Sequence, residues 1–304
     1  MPRPRLRDWR VKAGLQRTFS AVPGGTRLNW VFQRHVTHTY PASDAKLAED
    51  AELARHHVAT YQRHGRAPLA EARFYEFGAG WDLAIPLLLH GLGVDHQVVI
   101  DLRPLAREDL VFDLAHRLTE GLHGLRRPLP TPSGSLDAYL RRLGIHYVAP
   151  ADARRTSFAG GSIDCITSTN TLEHIPRDDL ASILRECRRI LADDGCCSFQ
   201  VDYKDHYSYF DDTITPFNFL RFGESEWLRY NPALHYQNRL RHADYLARYD
   251  EAELAVADVD LTREPADLAV IASLPLAAPF RDRPFDELAV RASRVALRPT
   301  ERPR

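Results

Sequence analysis

A carboxylate and two glycines lie at a spacing typical of a nucleotide-binding corner. Residues 74–77 are apolar except for Glu76, and Gly78 and Gly80 follow directly, which predicts a strand that turns tightly into a helix. Glycine lets the backbone approach a ligand without a Cβ between them. The next helix, predicted over residues 81–92, directs free N–H groups at the same point. These residues therefore suit a polar ligand that contains a ribose.

A second carboxylate supports this interpretation. Residues 97–101 form a short apolar strand that ends on Asp101, about where a ribose-binding acid lies in dinucleotide folds. The dinucleotide fingerprint needs a third glycine three residues after the second, and that position is Leu83. A nicotinamide cofactor is therefore not favoured.

The pattern resembles the class I S-adenosylmethionine-dependent methyltransferases. The first motif of that family is an acid, one residue and then Gly-x-Gly, and a second acid closes the second strand, as Glu76, Gly78, Gly80 and Asp101 do here. The resemblance implies an enzyme that uses S-adenosylmethionine. The cofactor-binding residues it implies are Glu76, Gly78, Ala79, Gly80, Asp101, Leu102, Asp152, Ala153, Thr169 and Asn170.

Within that resemblance, two later segments have separate roles. Asp152 follows the predicted third strand and resembles the acid that accepts a hydrogen bond from the adenine amine. Thr169 and Asn170 follow the fourth strand and are expected to line the methionine end of the cofactor. Glu173 and His174 come next, and we interpret them as structural or pocket residues rather than a catalytic pair.

His206 and Tyr203 are the candidate catalytic residues, because both lie at the carboxyl end of the predicted fifth strand, where open α/β sheets bind their ligands. Histidine titrates near neutrality and suits a general base. The alternative is a loop histidine that is hydrogen-bonded to backbone. Asp205 could orient His206 if a turn brings the two side chains together.

The predicted fold is a doubly wound, Rossmann-like α/β sheet of seven mostly parallel strands, because strands and helices alternate from residue 73 onward. Residues 1–70 read as a helical N-terminal extension, with Ser43 or Asp44 capping a helix over residues 45–63. Residues 71–304 form the methyltransferase domain. An aromatic-rich insertion at about 205–240 predicts a lid, in which Arg221, Arg229 and Arg239 offer donors to an anionic or sugar substrate.

The composition of the chain limits the classes of partner that we expect it to bind. The chain has 304 residues and a formal net charge of −1, so it has no overall basic field for nucleic-acid phosphates. An arginine-rich N-terminus (Arg3, Arg5, Arg7, Arg10, Lys12 and Arg17) is interpreted as a solvated tail. No apolar run spans a membrane, no secretory signal is evident and the four cysteines match no zinc or disulfide pattern. We therefore expect a cytoplasmic protein with reduced thiols and no metal site.

The expected function is methyl transfer from S-adenosylmethionine to a small-molecule or saccharide-like acceptor. Two alternatives remain open at this point: an RNA-directed methyltransferase, and a noncatalytic partner protein that keeps the fold. The sequence indicates neither the acceptor atom nor the oligomeric state.

Overall fold

Seven strands form one sheet in the computed structural model, which describes residues 8–35, 39–120 and 124–300. Their order is β3-β2-β1-β4-β5-β7-β6, and only β7 runs antiparallel to its neighbours. The carboxyl ends of β1 to β5 therefore meet along one edge, and the predicted fold class is confirmed. The strands are β1 Arg73–Phe77, β2 His96–Ile100, β3 Ile145–Val148, β4 Ile163–Thr169, β5 Leu191–Asp202, β6 Leu254–Thr262 and β7 Ala292–Pro299.

Helices cover both faces of this sheet. Apolar side chains of α3 to α6 pack on one face, and those of α7 and α9 pack on the other. The helices are α1 Trp9–Ala21, α2 Gly25–His35, α3 Asp44–His64, α4 Ala84–Leu92, α5 Glu108–Glu120, α6 Leu136–Arg142, α7 Arg177–Ile190, α8 Glu224–Trp227, α9 His242–Glu251, α10 Asp267–Ser273, α11 Ala278–Arg281 and α12 Phe285–Leu288.

Helix α3 is part of the main core rather than a loose extension. Its N-terminus is capped by Ser43, whose hydroxyl accepts the N–H of Lys46 at 3.2 Å. Leu47, Leu53 and Val58 are buried in the same apolar cluster as β1 and α4. This packing holds the start of α3 beside the carboxyl edge of the sheet.

Helix α1 packs against the insertion between β5 and α9. Trp9 is buried among Tyr207, Phe222 and Tyr230, with ring centroids 4.7 to 5.8 Å apart, and its backbone N–H donates to Asp211 Oδ2 at 3.0 Å. The N-terminal helices and the insertion therefore form one wall above the sheet edge. Of the arginine-rich tail, Arg3, Arg5 and Arg7 lie outside the described residues.

The predicted start of helix α4 is wrong. Helix α4 begins at Ala84 instead of 81, because Leu83 has a left-handed backbone with φ of 53°. Helix α5 begins at Glu108, and just before it the N–H groups of Leu105 and Ala106 donate to the Tyr147 hydroxyl. Strand β5 begins at Leu191, directly after α7.

All four cysteines are free and buried in the structure. No helix in the described ranges combines the length and the apolar character needed to cross a bilayer.

Candidate active site

The glycine loop after β1 lies at the carboxyl edge. Gly78 and Gly80 have φ of +79° and +78°, a conformation that side chains rarely adopt. A Cβ on Gly78 would lie 2.3 Å from Thr171 Cγ2, whereas the space beside Gly80 is open. Thr171 also donates to the Gly78 carbonyl at 3.1 Å. Gly78 therefore joins β1 to the segment after β4, and Gly80 is free to approach a ligand.

Asp101 follows β2 and faces this loop. Its side chain is 4% exposed, and Oδ2 accepts a hydrogen bond from the Tyr147 hydroxyl at 3.0 Å. Burial raises the pKa of Asp101 to about 7, while hydrogen bonds from Tyr147 and from the N–H groups of Gly80 and Ala79 act in the opposite direction. Tyr147, on β3, was not predicted, because nothing in the local sequence pairs it with residue 101.

Glu76 lies inside β1 and is buried. Thr167 donates to its Oε2 at 3.2 Å, and burial raises its pKa to about 8. Two further acids, Asp50 and Asp82, line the same cavity, and burial raises the pKa of Asp82 to about 6. This side of the sheet edge is therefore rich in carboxyl groups, although Lys46 pairs with Asp50 at 2.5 Å.

Two cavities meet at Gly78, and together we call them the cofactor cleft. The first, of about 290 Å³, lies beside Asp101 and the loop after β3, and the second, of about 280 Å³, lies beside the glycine loop and the end of β4. The predicted cofactor residues divide between them. Asp101, Leu102, Asp152 and Ala153 line the first, Glu76, Ala79, Gly80, Thr169 and Asn170 line the second, and Gly78 lines both.

The first cavity combines apolar walls with two partly exposed acids, Asp152 and Asp179. Leu102 is 66% exposed beside Ala153. Asp152 is half-buried, and Arg154 contacts both of its oxygens, at 3.0 Å through Nε and 2.7 Å through Nη2. These hydrogen bonds to Arg154 hold the pKa of Asp152 below its usual value. Asp152 is thus an ionised acceptor.

Thr169 and Asn170 end β4 at the second cavity. The Thr169 hydroxyl lies 2.9 Å from His57 Nε2, and burial lowers the pKa of His57 to about 3. Asn170 has a left-handed backbone with φ of 49°, and its Oδ1 is buried without a hydrogen-bond partner. An unpaired acceptor of this kind suits a ligand that carries N–H groups.

A larger cavity of about 600 Å³ adjoins the cofactor cleft, and we call it the acceptor cavity. It shares Arg103, Leu105 and His174 with the first cofactor cavity, and Thr39 and Lys46 with the second. Its remaining wall comes from α1, α2, Trp81 and the insertion. Those residues are Lys12, Gln16, Asn29, Phe32, Gln33, Trp81, His206, Tyr209, Ala233, Leu234, His235 and Tyr236.

His206 faces this cavity beside two acids. Its Nε2 lies 3.3 Å from Asp202 Oδ2 and 4.0 Å from Glu173 Oε1. Burial favours the neutral form of Asp202, yet the His206 ring, Lys204 and the Tyr209 hydroxyl together hold its pKa below the usual value. Burial and the charge of Asp202 hold the pKa of Glu173 well above its usual range. The two acids therefore differ in charge, and Asp202 is the ionised neighbour of the imidazole.

The structure pairs His206 with Asp202 and not with Asp205. The Asp205 carboxylate accepts the Tyr207 N–H at 2.9 Å and the Asn218 amide at 3.0 Å, so it caps the short helical turn His206–Tyr209. Asp202 was not among the predicted site residues. The available signal was its place at the end of the same strand, four residues before His206.

Tyr203 does not line any of these three cavities. Its hydroxyl lies 2.7 Å from Ser293 Oγ and 3.2 Å from His242 Nδ1 in the interior, and burial raises its pKa. Its catalytic role stays a prediction that this geometry does not favour.

The insertion arginines also lie away from the acceptor cavity. Arg239 is buried, and its Nη1 donates to the carbonyls of Phe219 and Phe222 at 3.0 and 2.6 Å. Arg221 and Arg229 are exposed on the surface. The expectation that these three guanidinium groups offer donors to the substrate is therefore wrong for Arg239, whose donors are used internally.

The sheet order, the glycine loop and the strand-end acids define a nucleotide-binding α/β enzyme of the methyltransferase type. Residues 76–199 match the family model described as a methyltransferase domain. This methyltransferase domain indicates an S-adenosylmethionine-dependent enzyme, with S-adenosylmethionine as the cofactor. A search of curated proteins gave no match.

Several solved structures are similar to this chain at low sequence identity. The PH0226 protein of Pyrococcus horikoshii is 12% identical, with a TM-score of 0.50, over 88% of this chain and 98% of that one. A TehB-like methyltransferase of Corynebacterium glutamicum is 13% identical, with a TM-score of 0.44, over 90% and 97%. A methyltransferase of Leishmania major is 14% identical, with a TM-score of 0.46, over 97% and 87%.

Proposed function

We propose that this enzyme methylates a hydroxyl group of a small, saccharide-like acceptor held in the acceptor cavity, with His206 as the general base. The observation that carries the proposal is the position of the His206–Asp202 pair, on the wall of a cavity that adjoins the cofactor cleft on two sides. A cavity of about 600 Å³ matches a small molecule. We further propose that residues 1–70 act as an extension that completes this cavity for the domain of residues 71–304.

The residues of the cofactor cleft fit S-adenosylmethionine. In the proposal Asp101 accepts the ribose hydroxyls, Leu102 and Ala153 contact the adenine, and Asp152 accepts its amine. The unpaired Oδ1 of Asn170 suits the ammonium group at the methionine end. The bound cofactor supplies a methyl group on a sulfonium, which is an already activated electrophile.

With the electrophile activated, the protein's own work is to position the acceptor and remove its proton. Asp202 holds the Nε2 side of the His206 ring, which leaves Nδ1 to take the hydroxyl proton. The neutral Glu173 does not compete with Asp202 for the imidazole.

The test is a panel of hydroxylated acceptors, followed by release of S-adenosylhomocysteine and mass analysis of the product. His206→Ala should lower kcat by on the order of 100-fold, the usual share of a general base, without changing cofactor affinity. The control is His116→Ala, an exposed histidine on α5, which should match wild type. Unchanged turnover of His206→Ala at saturating cofactor would overturn the base assignment.

The same assay should be repeated in the presence of a metal chelator. The ligand-type atoms of Glu173, His174 and His206 all lie within 4.8 Å of one another, so a cation could occupy this position. Activity that survives chelation supports His206 as a base. Activity that is lost with chelator and restored by a divalent ion contradicts it.

An RNA acceptor is the second candidate. Arg10 stacks on Trp9 at 4.6 Å, and Arg17 donates to the carbonyls of Leu228 and Arg229, so these two tail residues contact the protein itself. Affinity for RNA that falls steeply with salt would favour this candidate. Small-molecule turnover that is indifferent to salt would argue against it.

A further inference from the structure

The acceptor cavity has an unbalanced charge. Three cations line it, Lys12, Lys46 and Arg103, and no Asp or Glu does. Lys46 is paired with Asp50. Lys12 and Arg103 form no ion pair with any residue in the described ranges. The lining therefore contains cationic side chains and no carboxylate, although Asp202 lies directly against His206.

Lys12 is the more enclosed of these two cations. Its Nζ lies 4.9 Å from the ring centroid of Phe210 and 6.0 Å from that of Tyr207, so two aromatic side chains surround the ammonium group. Burial lowers the pKa of Lys12 to about 8, although the charge of Asp205 acts in the opposite direction. A half-buried ammonium without a carboxylate partner gains most from a ligand that supplies an anion.

Two buried amides line the same cavity. Gln16 on α1 is 2% exposed and Asn29 on α2 is 5% exposed, and the Oε1 and Oδ1 atoms of these side chains have no hydrogen-bond partner. A buried acceptor left unpaired is unfavourable, so such atoms mark a place for a donor. Hydroxyl groups of a ligand are donors of this kind.

We propose that the acceptor is a polyhydroxylated small molecule that carries a carboxylate or phosphate, with the anionic group on Lys12 and hydroxyl groups on Gln16 and Asn29. This inference rests on the proposed function and names the substrate class of the same cavity. The cation and both amides come from the N-terminal helices, so these helices select the acceptor.

Calorimetric titration of the full chain saturated with S-adenosylhomocysteine tests the proposal without turnover. The probes are glucuronic acid, glucose 1-phosphate and neutral methyl glucoside. We expect at least one anionic probe to bind tenfold or more tightly than the neutral one, and the two anionic arms distinguish carboxylate from phosphate. Equal affinity for all three probes, or no binding of either anion, would overturn the proposal.

Variants then locate the anion site. Lys12→Met should reduce the affinity for the preferred anion to that for methyl glucoside, while Lys12→Arg should keep the preference. Arg27→Met is the matched control, since it removes one exposed positive charge from α2 outside the cavity. Gln16→Ala and Asn29→Ala should weaken all probes that bind. A preference that survives Lys12→Met would contradict the assignment.

Unchanged affinity for S-adenosylhomocysteine and an unchanged Tm show that each variant is folded. The two proposals fail separately. Turnover of neutral acceptors that depends on His206 would uphold the proposed function and overturn the anionic acceptor. Anion binding that depends on Lys12, together with full turnover by His206→Ala, would uphold the anionic acceptor and overturn the proposed function.

Discussion

The cofactor cleft and the acceptor cavity share lining residues but differ in charge and in origin. Carboxyl groups dominate the cleft, where Glu76, Asp82 and Asp101 all have a raised pKa. Cations dominate the acceptor cavity. The two surfaces thus offer a ligand different groups, carboxyl groups with a raised pKa on one side and cationic side chains on the other. The cofactor cleft is built from the ends of the strands, whereas the acceptor cavity is built in part from the N-terminal helices.

The largest effect that separates the two regions should come from Asp202→Asn. The amide leaves the shape of the site but removes the charge that holds His206, so kcat should fall by about 100-fold while cofactor affinity stays constant. Steady-state kinetics and calorimetry measure the two quantities. Asp193→Asn, an exposed acid on β5, is the control. If Asp202→Asn lowered only the cofactor affinity and left kcat unchanged, the assignment of Asp202 to the acceptor cavity would be wrong.

Asp101→Ala should have the opposite effect, a loss of cofactor affinity with little change in kcat. Loss of the carboxylate that accepts the ribose hydroxyls should weaken S-adenosylhomocysteine binding by roughly 10- to 100-fold, because hydrogen bonds to a charged group contribute about 1.5–3 kcal/mol. At saturating cofactor kcat should change little. The exposed Asp250→Ala serves as the control. Full cofactor affinity in Asp101→Ala would remove Asp101 from the site.

Tyr147→Phe should give a smaller effect of the same sign. It removes the hydroxyl that donates to Asp101 and accepts the Leu105 and Ala106 N–H groups. We expect cofactor affinity to fall roughly three- to tenfold, since the carboxylate itself remains. Tyr139→Phe, whose hydroxyl contacts Pro130 on the far side of α6, should leave affinity unchanged. Equal losses in both variants would indicate general destabilisation.

Glu76→Gln should change stability in a way that depends on pH. Because the folded protein holds the Glu76 proton up to a pKa of about 8, and the unfolded chain releases it near its ordinary pKa of 4.5, wild type should lose stability as pH rises between these values. The amide cannot ionise. The Tm of Glu76→Gln relative to wild type should therefore rise from pH 5 to pH 8 and then level off. A constant difference across this range would contradict the buried, protonated state.

Much of the cofactor cleft could be predicted from the sequence, because each of its residues directly follows the strand that positions it. Gly78 and Gly80 directly follow β1, Asp101 directly follows β2, and parallel strands bring such ends to one edge of the sheet. The acceptor cavity could not be predicted in this way. Its lining combines Lys12, Gln16 and Asn29 with His206 and His235, which lie far later in the chain.

The sequence by itself determined the alternation of strands and helices, the glycine turn and the acids at strand ends, since all of these depend on neighbours within a few residues. The tertiary structure decided the rest. Burial of Trp9 among the aromatic rings of the insertion places α1 over the sheet edge. Because of this packing, Lys12 and Gln16 line a cavity, although the sequence alone suggests that they lie on the surface of a basic tail. Long-range packing carries no periodic signal, so only the folded chain brings these residues together with His206 and Asp202.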